Sequence, residues 1–344
     1  MALLGRRILP APGRTDMMPG MGGFLLRRVA FGLLVLFVGL SGCFLFFASK
    51  YPPLYYEPLG HAYWVWLRGL PSGHSLNDGL LAGHQLSAVG SAFGRTLLLL
   101  VVTLVIVLLI SVPLACLSAA NRGSPFDFLV RCLSYAVWAV PVFLAATIGQ
   151  EGLGRVPGGW GLPWFPYVGW AGDCPNGQGI DEHNFQCPSG GHGLNHVGLV
   201  LDHLALPAMV LALGFIGLQA RYLRSALLDA LDAPYVTVAR AKGLPERVVV
   251  LRHAVRNALA TFVPALVSDF GLIFGAALAI DFIFQLGGIG SLFINSLKLN
   301  AEGFVPIDSY ALVFALLLAG GLMVIVSILG EVALWMLDPR TRPD

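Results

Sequence analysis

Long apolar runs separated by polar segments dominate the sequence. A helix needs about 20 apolar residues to cross a bilayer. Six runs reach that length, at residues 24–48, 96–120, 128–150, 199–221, 261–284 and 310–337. Because lipid offers no hydrogen bonds to the backbone, each run must satisfy its own polar groups and is predicted to be a helix. The predicted fold is therefore an all-α membrane protein with six transmembrane helices and sizeable extracytoplasmic loops.

The composition agrees with a membrane location. Apolar residues make up 56% of the 344 residues, and charged residues only 12%, whereas a soluble domain has about 25% charged residues. The formal net charge of +2 is too small to indicate a nucleic-acid partner. The distribution of the charges is therefore more informative than their sum.

Lys and Arg predict the orientation, because basic residues accumulate in cytoplasmic loops. With a cytoplasmic N-terminus, the outside segments hold only Lys50, Arg68, Arg95, Arg155 and Lys298 of the 21 basic residues. Both termini are therefore predicted to be cytoplasmic. We divide the chain into a cytoplasmic tail (1–23), a first helix with an outer segment (24–95) and a core (96–344). A tail is preferred over a cleaved signal peptide because the apolar run that follows is long.

The long outer loop, residues 151–198, holds Cys174 and Cys187. A disulfide between them is the preferred interpretation, since this loop lies on the oxidising side. A zinc site is the alternative, because His183, His192, His196 and His203 lie nearby, but the spacing matches no recognised ligand pattern. The aromatic residues of this loop indicate a membrane interface, with ligand stacking as the alternative.

Motifs for covalent chemistry are missing from the sequence. It contains no G-x-x-x-x-G-K-[ST] phosphate loop, no G-x-S-x-G elbow and no H-E-x-x-H zinc motif. We therefore predict no catalytic residues, no metal site and no cofactor in this chain. Energy for uphill transport would have to come from another protein.

A basic insert between two apolar runs, residues 232–257, is the most distinctive segment. Pro234 predicts the first turn of a short helix with Asp232 as its N-cap. Gly243 fits the left-handed position after that helix, and Pro245 predicts the start of a second helix. Tyr235 and Val236 were expected to form an apolar tip. Such a tip between basic flanks favours docking into a groove on a soluble partner over binding to anionic lipid headgroups.

Two acids inside the runs are candidates for a polar pathway through the membrane. Asp269 and Asp281 lie in the fifth run, and ionisable groups within a membrane usually face a cavity or a partner. Asp281 lies near the outer end, where hydration alone would also explain it. Gly271 and Gly275 share a helix face, which favours close helix packing over contact with cargo.

The insert, YVTVARAKGL…RHAVRNAL, resembles the cytoplasmic loop of dipeptide/oligopeptide-type permeases of ABC importers. The ending LWMLDPRTR is similar to the last-span ending of that family, and the order of motifs is preserved over residues 95–342. The chain departs from the family pattern at Thr237, where Arg is usual, and at Asp281, where Glu is usual. GGIG at 287–290 stands where the family often has P-G-L-G.

The resemblance implies the fold of a type I ABC importer permease in the bacterial inner membrane, for di- or oligopeptides. The implied partners are a second permease subunit, two ATP-binding subunits that hold ATP and magnesium, a solute-binding protein and membrane lipid. The contacts to the ATPase would be Tyr235, Val236, Thr237, Ala239, Arg240, Ala241, Lys242 and Gly243. Alternatives are a nickel-chelate or glutathione importer of the same family, or a stand-alone secondary transporter.

Overall fold

The computed structural model describes residues 21–50, 59–69, 82–154, 165, 169–170, 194–245, 248–296 and 309–337. Within these ranges the chain is almost entirely helical, as predicted. The helices are α1 (Met21–Lys50), α2 (Leu59–Gly69), α3 (Ala82–Ala120), α4 (Pro125–Trp138), α5 (Val142–Leu153), α6 (Leu194–Leu231), α7 (Pro234–Ala241), α8 (Val255–Ile283), α9 (Ile289–Ser296) and α10 (Ser309–Leu337). A π-helical turn, Val249–Ala254, leads directly into α8.

Four helices are long and apolar enough to cross a membrane. The qualifying stretches are Val89–Ala120 of α3, Val197–Leu231 of α6, Val255–Ile283 of α8 and Leu316–Leu337 of α10. Helices α4 and α5 make a fifth candidate if the pair counts as one span. Helix α1 coincides with the first predicted run, and the apolar stretch identified within it, Val29–Gly42, is shorter than the other four.

The third predicted span is a bent pair of helices. The sequence predicts one helix over residues 128–150, whereas α4 and α5 meet at an angle of 96°. Pro141 occupies the N-cap of α5, with φ −57° and ψ 135°. A proline donates no backbone hydrogen bond, and its ring disfavours helical backbone in the preceding residue. Helix α4 therefore ends before Pro141, and α5 starts in a new direction.

Helices α3 and α6 form the central pair of the bundle. On α3, Thr103, Ser111 and Ser118 are fully buried and lie two turns apart, so they share one face. Small side chains on such a face let two helix backbones approach closely, which is how helices gain packing energy within a membrane. Helix α8 packs on α6, α10 packs on α8, and α1 packs on α10.

The crossing of α4 and α6 depends on one glycine. A Cβ atom on Gly217 would lie 2.9 Å from the Cα atom of Ser134 and 3.0 Å from its carbonyl oxygen. One turn away, the rings of Trp138 and Phe215 meet edge to face, with centroids 5.6 Å apart. This close contact fixes α4 on α6, and with it the turn that connects α3 to α4.

Candidate functional site

Helix α7 and the turn after it form the candidate site, here called the coupling loop (residues 232–245). Pro234 is the first helical residue, as predicted, and Ala233 is the N-cap, with φ −75° and ψ 147°. No side chain caps this helix, so the predicted N-cap role of Asp232 is wrong. The Asp232 carboxylate instead lies 3.4 Å from Arg122, in a solvent-exposed ion pair.

The helix ends in the predicted left-handed turn. Lys242 is the C-cap and Gly243 follows with φ +77°. The Gly243 N–H donates to the Arg240 carbonyl at 2.9 Å, and the Leu244 N–H donates to the Ala239 carbonyl at 3.4 Å. Since an L side chain is strained at this φ, glycine is the residue that suits the position. The Pro245 carbonyl accepts from the Val248 N–H at 2.8 Å, and the described chain is helical again from Val248.

One face of α7 is packed against the chain itself. Val236 has no exposed surface and Ala239 has 7% exposed, and both pack against Val249 and Leu231. The expected apolar tip of Tyr235 and Val236 is therefore only half present, because Val236 points inward. The inward pair lies three residues apart, which places both on one helix face. These contacts hold α7 against the end of the bundle.

The opposite face of α7 is open. The exposed residues are Tyr235, Thr237, Val238, Arg240, Ala241, Lys242, Gly243 and Leu244. Val238 is 54% exposed, Tyr235 40% and Leu244 38%. Val238 and Leu244 were missed in the sequence analysis. The helical period from the inward Val236 and Ala239 would have placed Val238 on the outer face, where it completes an apolar patch with basic neighbours.

A buried ion pair joins α4 to α6, the helix that leads into the coupling loop. Both carboxylate oxygens of Asp127 accept from Arg224, at 2.6 and 2.7 Å. Asp127 also accepts from the Ser118 hydroxyl at 2.5 Å and from the Gly123 N–H at 3.1 Å. The Asp127 side chain is 1% exposed and that of Arg224 is 15% exposed. Bidentate, charge-assisted bonds of this kind fix geometry as well as contributing energy.

This cluster connects three helix ends. Ser118 lies near the end of α3, Asp127 in the first turn of α4, and Arg224 two turns before the end of α6. Ser124 caps α4, because its hydroxyl accepts from the Asp127 N–H at 3.1 Å. The α3–α4 turn is thereby tied to the helix that leads into α7. The sequence analysis did not identify this cluster, because its members are far apart in the chain.

Asp269 lies at the middle of α8. Its Oδ2 atom accepts from the Gln219 amide of α6 at 2.9 Å, and its side chain is half-buried. Gly271 and Gly275 follow on an open face of α8, with no described atom within 4 Å of a Cβ placed on either. The expected close helix contact at these glycines is thus not made by any described part of this chain.

Asp281 caps a helix within its own chain. Its carboxylate accepts from the backbone N–H groups of Gly288 at 2.8 Å and Ser291 at 2.7 Å, at the start of α9. The Thr96 hydroxyl accepts from the next N–H, that of Ile289, at 2.9 Å. With 1% of Asp281 exposed, the alternative that hydration alone explains this carboxylate does not fit this chain, and its role in a pathway stays a prediction. The acid anchors the 287–290 turn.

Several predicted features lie outside the described residues, namely Cys174, Cys187, His183, His192 and most of the 151–198 loop. His203 is described, and its Nδ1 atom is 2.9 Å from the Leu199 carbonyl oxygen of its own helix. In the described ranges no three His, Cys, Asp or Glu side chains are grouped closely enough to hold a metal ion. The predictions of a disulfide and of no catalytic or metal site stay predictions.

Comparison with known proteins identifies the family. Residues 111–343 match the family model described as binding-protein-dependent transport system inner membrane component. A Brucella suis protein named as a candidate peptide permease is 32% identical over 294 residues, covering 83% of this chain and 81% of that protein. The oligopeptide transport system permease proteins AppB of Bacillus subtilis and OppB of Haemophilus influenzae are 28% and 25% identical, with the same coverage of both chains. The chain therefore belongs to the family of inner membrane components of binding-protein-dependent transport systems.

Proposed function

We propose that this protein is a permease subunit of an ATP-driven importer of di- or oligopeptides. It forms half of the translocation pathway and couples that pathway to partner ATPases. The observation that carries the proposal is the coupling loop, a short helix whose inner face is packed on the bundle and whose outer face is apolar with basic neighbours. The peptide specificity is supported by the names of the similar permeases.

The proposed partners are those that the family implies. A second, homologous permease supplies the other half of the pathway, and two ATP-binding subunits, which bind ATP and magnesium, dock on the coupling loops. An extracytoplasmic solute-binding protein delivers the peptide. The distribution of Lys and Arg supports placing α7 and both termini on the cytoplasmic side of a bacterial inner membrane.

In the proposed cycle, ATP draws the two ATPase subunits together, and each pulls on the coupling loop in contact with it. The packing of Val236 and Ala239 on Val249 passes this movement to the start of α8. The Asp127–Arg224 pair passes it from α6 to α4. The pathway then switches from inward-open to outward-open. This chain contributes no catalytic residue, and ATP is hydrolysed in its partners.

Replacing an exposed valine of the loop tests this function. Burying a valine side chain stabilises a contact by about 1.5–3 kcal/mol, so Val238→Ser should weaken ATPase binding roughly tenfold or more. Affinity for the purified ATPase and the ATPase activity of the reconstituted complex are the measurements. Val105→Ser is the matched control, since Val105 on α3 is 56% exposed and Val238 is 54% exposed.

Equal ATPase binding by the two variants would overturn the docking role. Uphill uptake by this chain alone in vesicles would instead favour a stand-alone secondary transporter. Nickel-chelate or glutathione uptake by the full complex, without peptide uptake, would identify one of the alternative importers of the family.

A further inference from the structure

A cavity of about 620 Å³ lies beside the break between α4 and α5. Ligand sites in proteins typically enclose about 300–1,000 Å³ within mostly apolar walls that carry a few polar groups. The walls here come from α4, α5, α6 and α8, and they include Trp138, Pro141, Leu213, Phe215 and Leu272. The walls are thus suited to an apolar side chain of moderate size.

A polar pair lies next to this cavity. Gln219 follows the wall residue Phe215 by four positions on α6, and Asp269 precedes the wall residue Leu272 by three positions on α8. Residues three or four apart lie on the same helix face. Gln219 and Asp269 are therefore each one helical turn beyond a wall residue, on the side of the cavity that is nearer to α7. Their mutual hydrogen bond of 2.9 Å spans the two helices at this level.

The pair is chemically incomplete. An ionised carboxylate only accepts hydrogen bonds, so the group of Gln219 that faces Asp269 is its NH₂. The Oε1 atom of Gln219 is then the remaining acceptor. It is buried and receives no hydrogen bond from any described residue. A buried acceptor of this kind calls for an explanation, because leaving it unpaired is costly.

The charge of Asp269 is also uncompensated. Asp269 lies at the middle of a 29-residue helix, and among the described residues no Lys, Arg or His forms an ion pair with it. A carboxylate at this depth is normally matched by a cation, by a partner or by water in a pathway. A positively charged hydrogen-bond donor would satisfy both the charge of Asp269 and the free acceptor of Gln219.

We propose that Asp269 and Gln219 bind the α-ammonium group of a peptide whose neighbouring apolar side chain enters the cavity. The proposed ammonium site rests on the proposed function, since it assigns a contact for the same peptide cargo. The ammonium group donates to the Asp269 carboxylate and to Gln219 Oε1, which supplies both the missing charge and the missing donor. A lipid acyl chain would fit between the walls but carries neither a positive charge nor a hydrogen-bond donor. A peptide with a blocked amino terminus also lacks the charge.

Photo-crosslinking of the assembled transporter in nanodiscs tests this site. The probes are a tripeptide of diazirine-leucine with a free amino terminus and its N-acetylated form, and mass spectrometry locates the labelled residues. The free-amine probe should label the segments that carry Phe215 and Leu272, and the acetylated probe should label them about tenfold less, since a charged hydrogen bond is lost.

Two variants separate charge from structure. Asp269→Asn keeps the shape and removes the charge, so labelling by the free-amine probe should fall about tenfold. Gln219→Met keeps the charge but removes both the acceptor and the NH₂ group that donates to Asp269, so labelling should fall several-fold. Glu151→Gln, at an exposed acid of α5, is the matched control and should label as the unaltered protein does. Gel filtration establishes that each variant assembles.

Equal labelling by the free and acetylated probes would overturn the proposal. So would full labelling of both Asp269→Asn and Gln219→Met. Labelling of the cavity by a diazirine phospholipid that excess peptide does not displace would identify a lipid site instead. ATPase coupling is measured separately on the same complexes. Loss of coupling with normal labelling would count against the proposed function, and normal coupling without peptide labelling would count against this site alone.

Discussion

Removing Arg224 should show how much the stability of the helix bundle depends on the buried charge cluster. Arg224→Met retains the length and apolar stem of the side chain but leaves Asp127 ionised at 1% exposure. The change removes two of the four hydrogen bonds to this carboxylate, those of 2.6 and 2.7 Å. Removing one partner of a buried pair typically costs about 3–5 kcal/mol, mainly because the other charge stays buried without its close partner. The Arg131 guanidinium, 3.8 Å from Asp127 and 46% exposed, stays in place, but such a solvent-exposed partner offsets only a small part of that cost.

The expected loss for Arg224→Met is therefore about 3–5 kcal/mol in the free energy of unfolding. Reversible unfolding in mixed detergent micelles measures it. The double variant Asp127→Leu/Arg224→Met should recover most of this loss, because it leaves no buried charge. The double variant thus separates the cost of an unpaired buried charge from the cost of lost side-chain packing.

The exposed pair at the same end of the bundle is the matched control. Arg122 and Asp232 are 3.4 Å apart with side chains 63% and 72% exposed, and such pairs contribute about 0–1 kcal/mol. Arg122→Met should therefore change the stability by less than about 1 kcal/mol. Equal losses of unfolding free energy in Arg122→Met and Arg224→Met would refute the argument that burial sets the cost. A double variant that is no more stable than Arg224→Met would refute it as well.

Three further outcomes follow from the structure, and a fourth follows from the sequence. Gly243→Pro should abolish transport while the subunit still inserts, because proline cannot adopt φ +77° or donate to Arg240, whereas Gly243→Asn should retain most uptake. Gly217→Val should force α4 off α6 and lower stability by about 1–3 kcal/mol in the same micelle assay. Asp281→Ala should leave the start of α9 uncapped and cost about 1–3 kcal/mol, and unchanged thermal unfolding would contradict that role. Mass spectrometry without reductant should show Cys174 bonded to Cys187, and free thiols on the exported protein would exclude the disulfide.

The conformation of the coupling loop was largely predictable from local sequence. Pro234 and Gly243 restrict or require particular backbone angles, so they mark the two ends of α7 without reference to the rest of the chain. The N-cap was mispredicted because Asp232 has a second option, the distant Arg122, which only the fold brings near. Backbone constraints are local, whereas the choice among hydrogen-bond partners is not.

The apolar runs by themselves determined that this chain is a helical membrane protein, because lipid leaves the backbone no partner but its own helix. The motif order determined the family. Only the tertiary structure decided that Val236 faces inward, that Asp281 caps α9 and that Asp127 meets Arg224, 97 residues away along the chain. Each of those outcomes depends on which helix faces lie against each other. Apolar runs specify that helices form, and the packing of small residues and buried polar groups specifies how the helices meet.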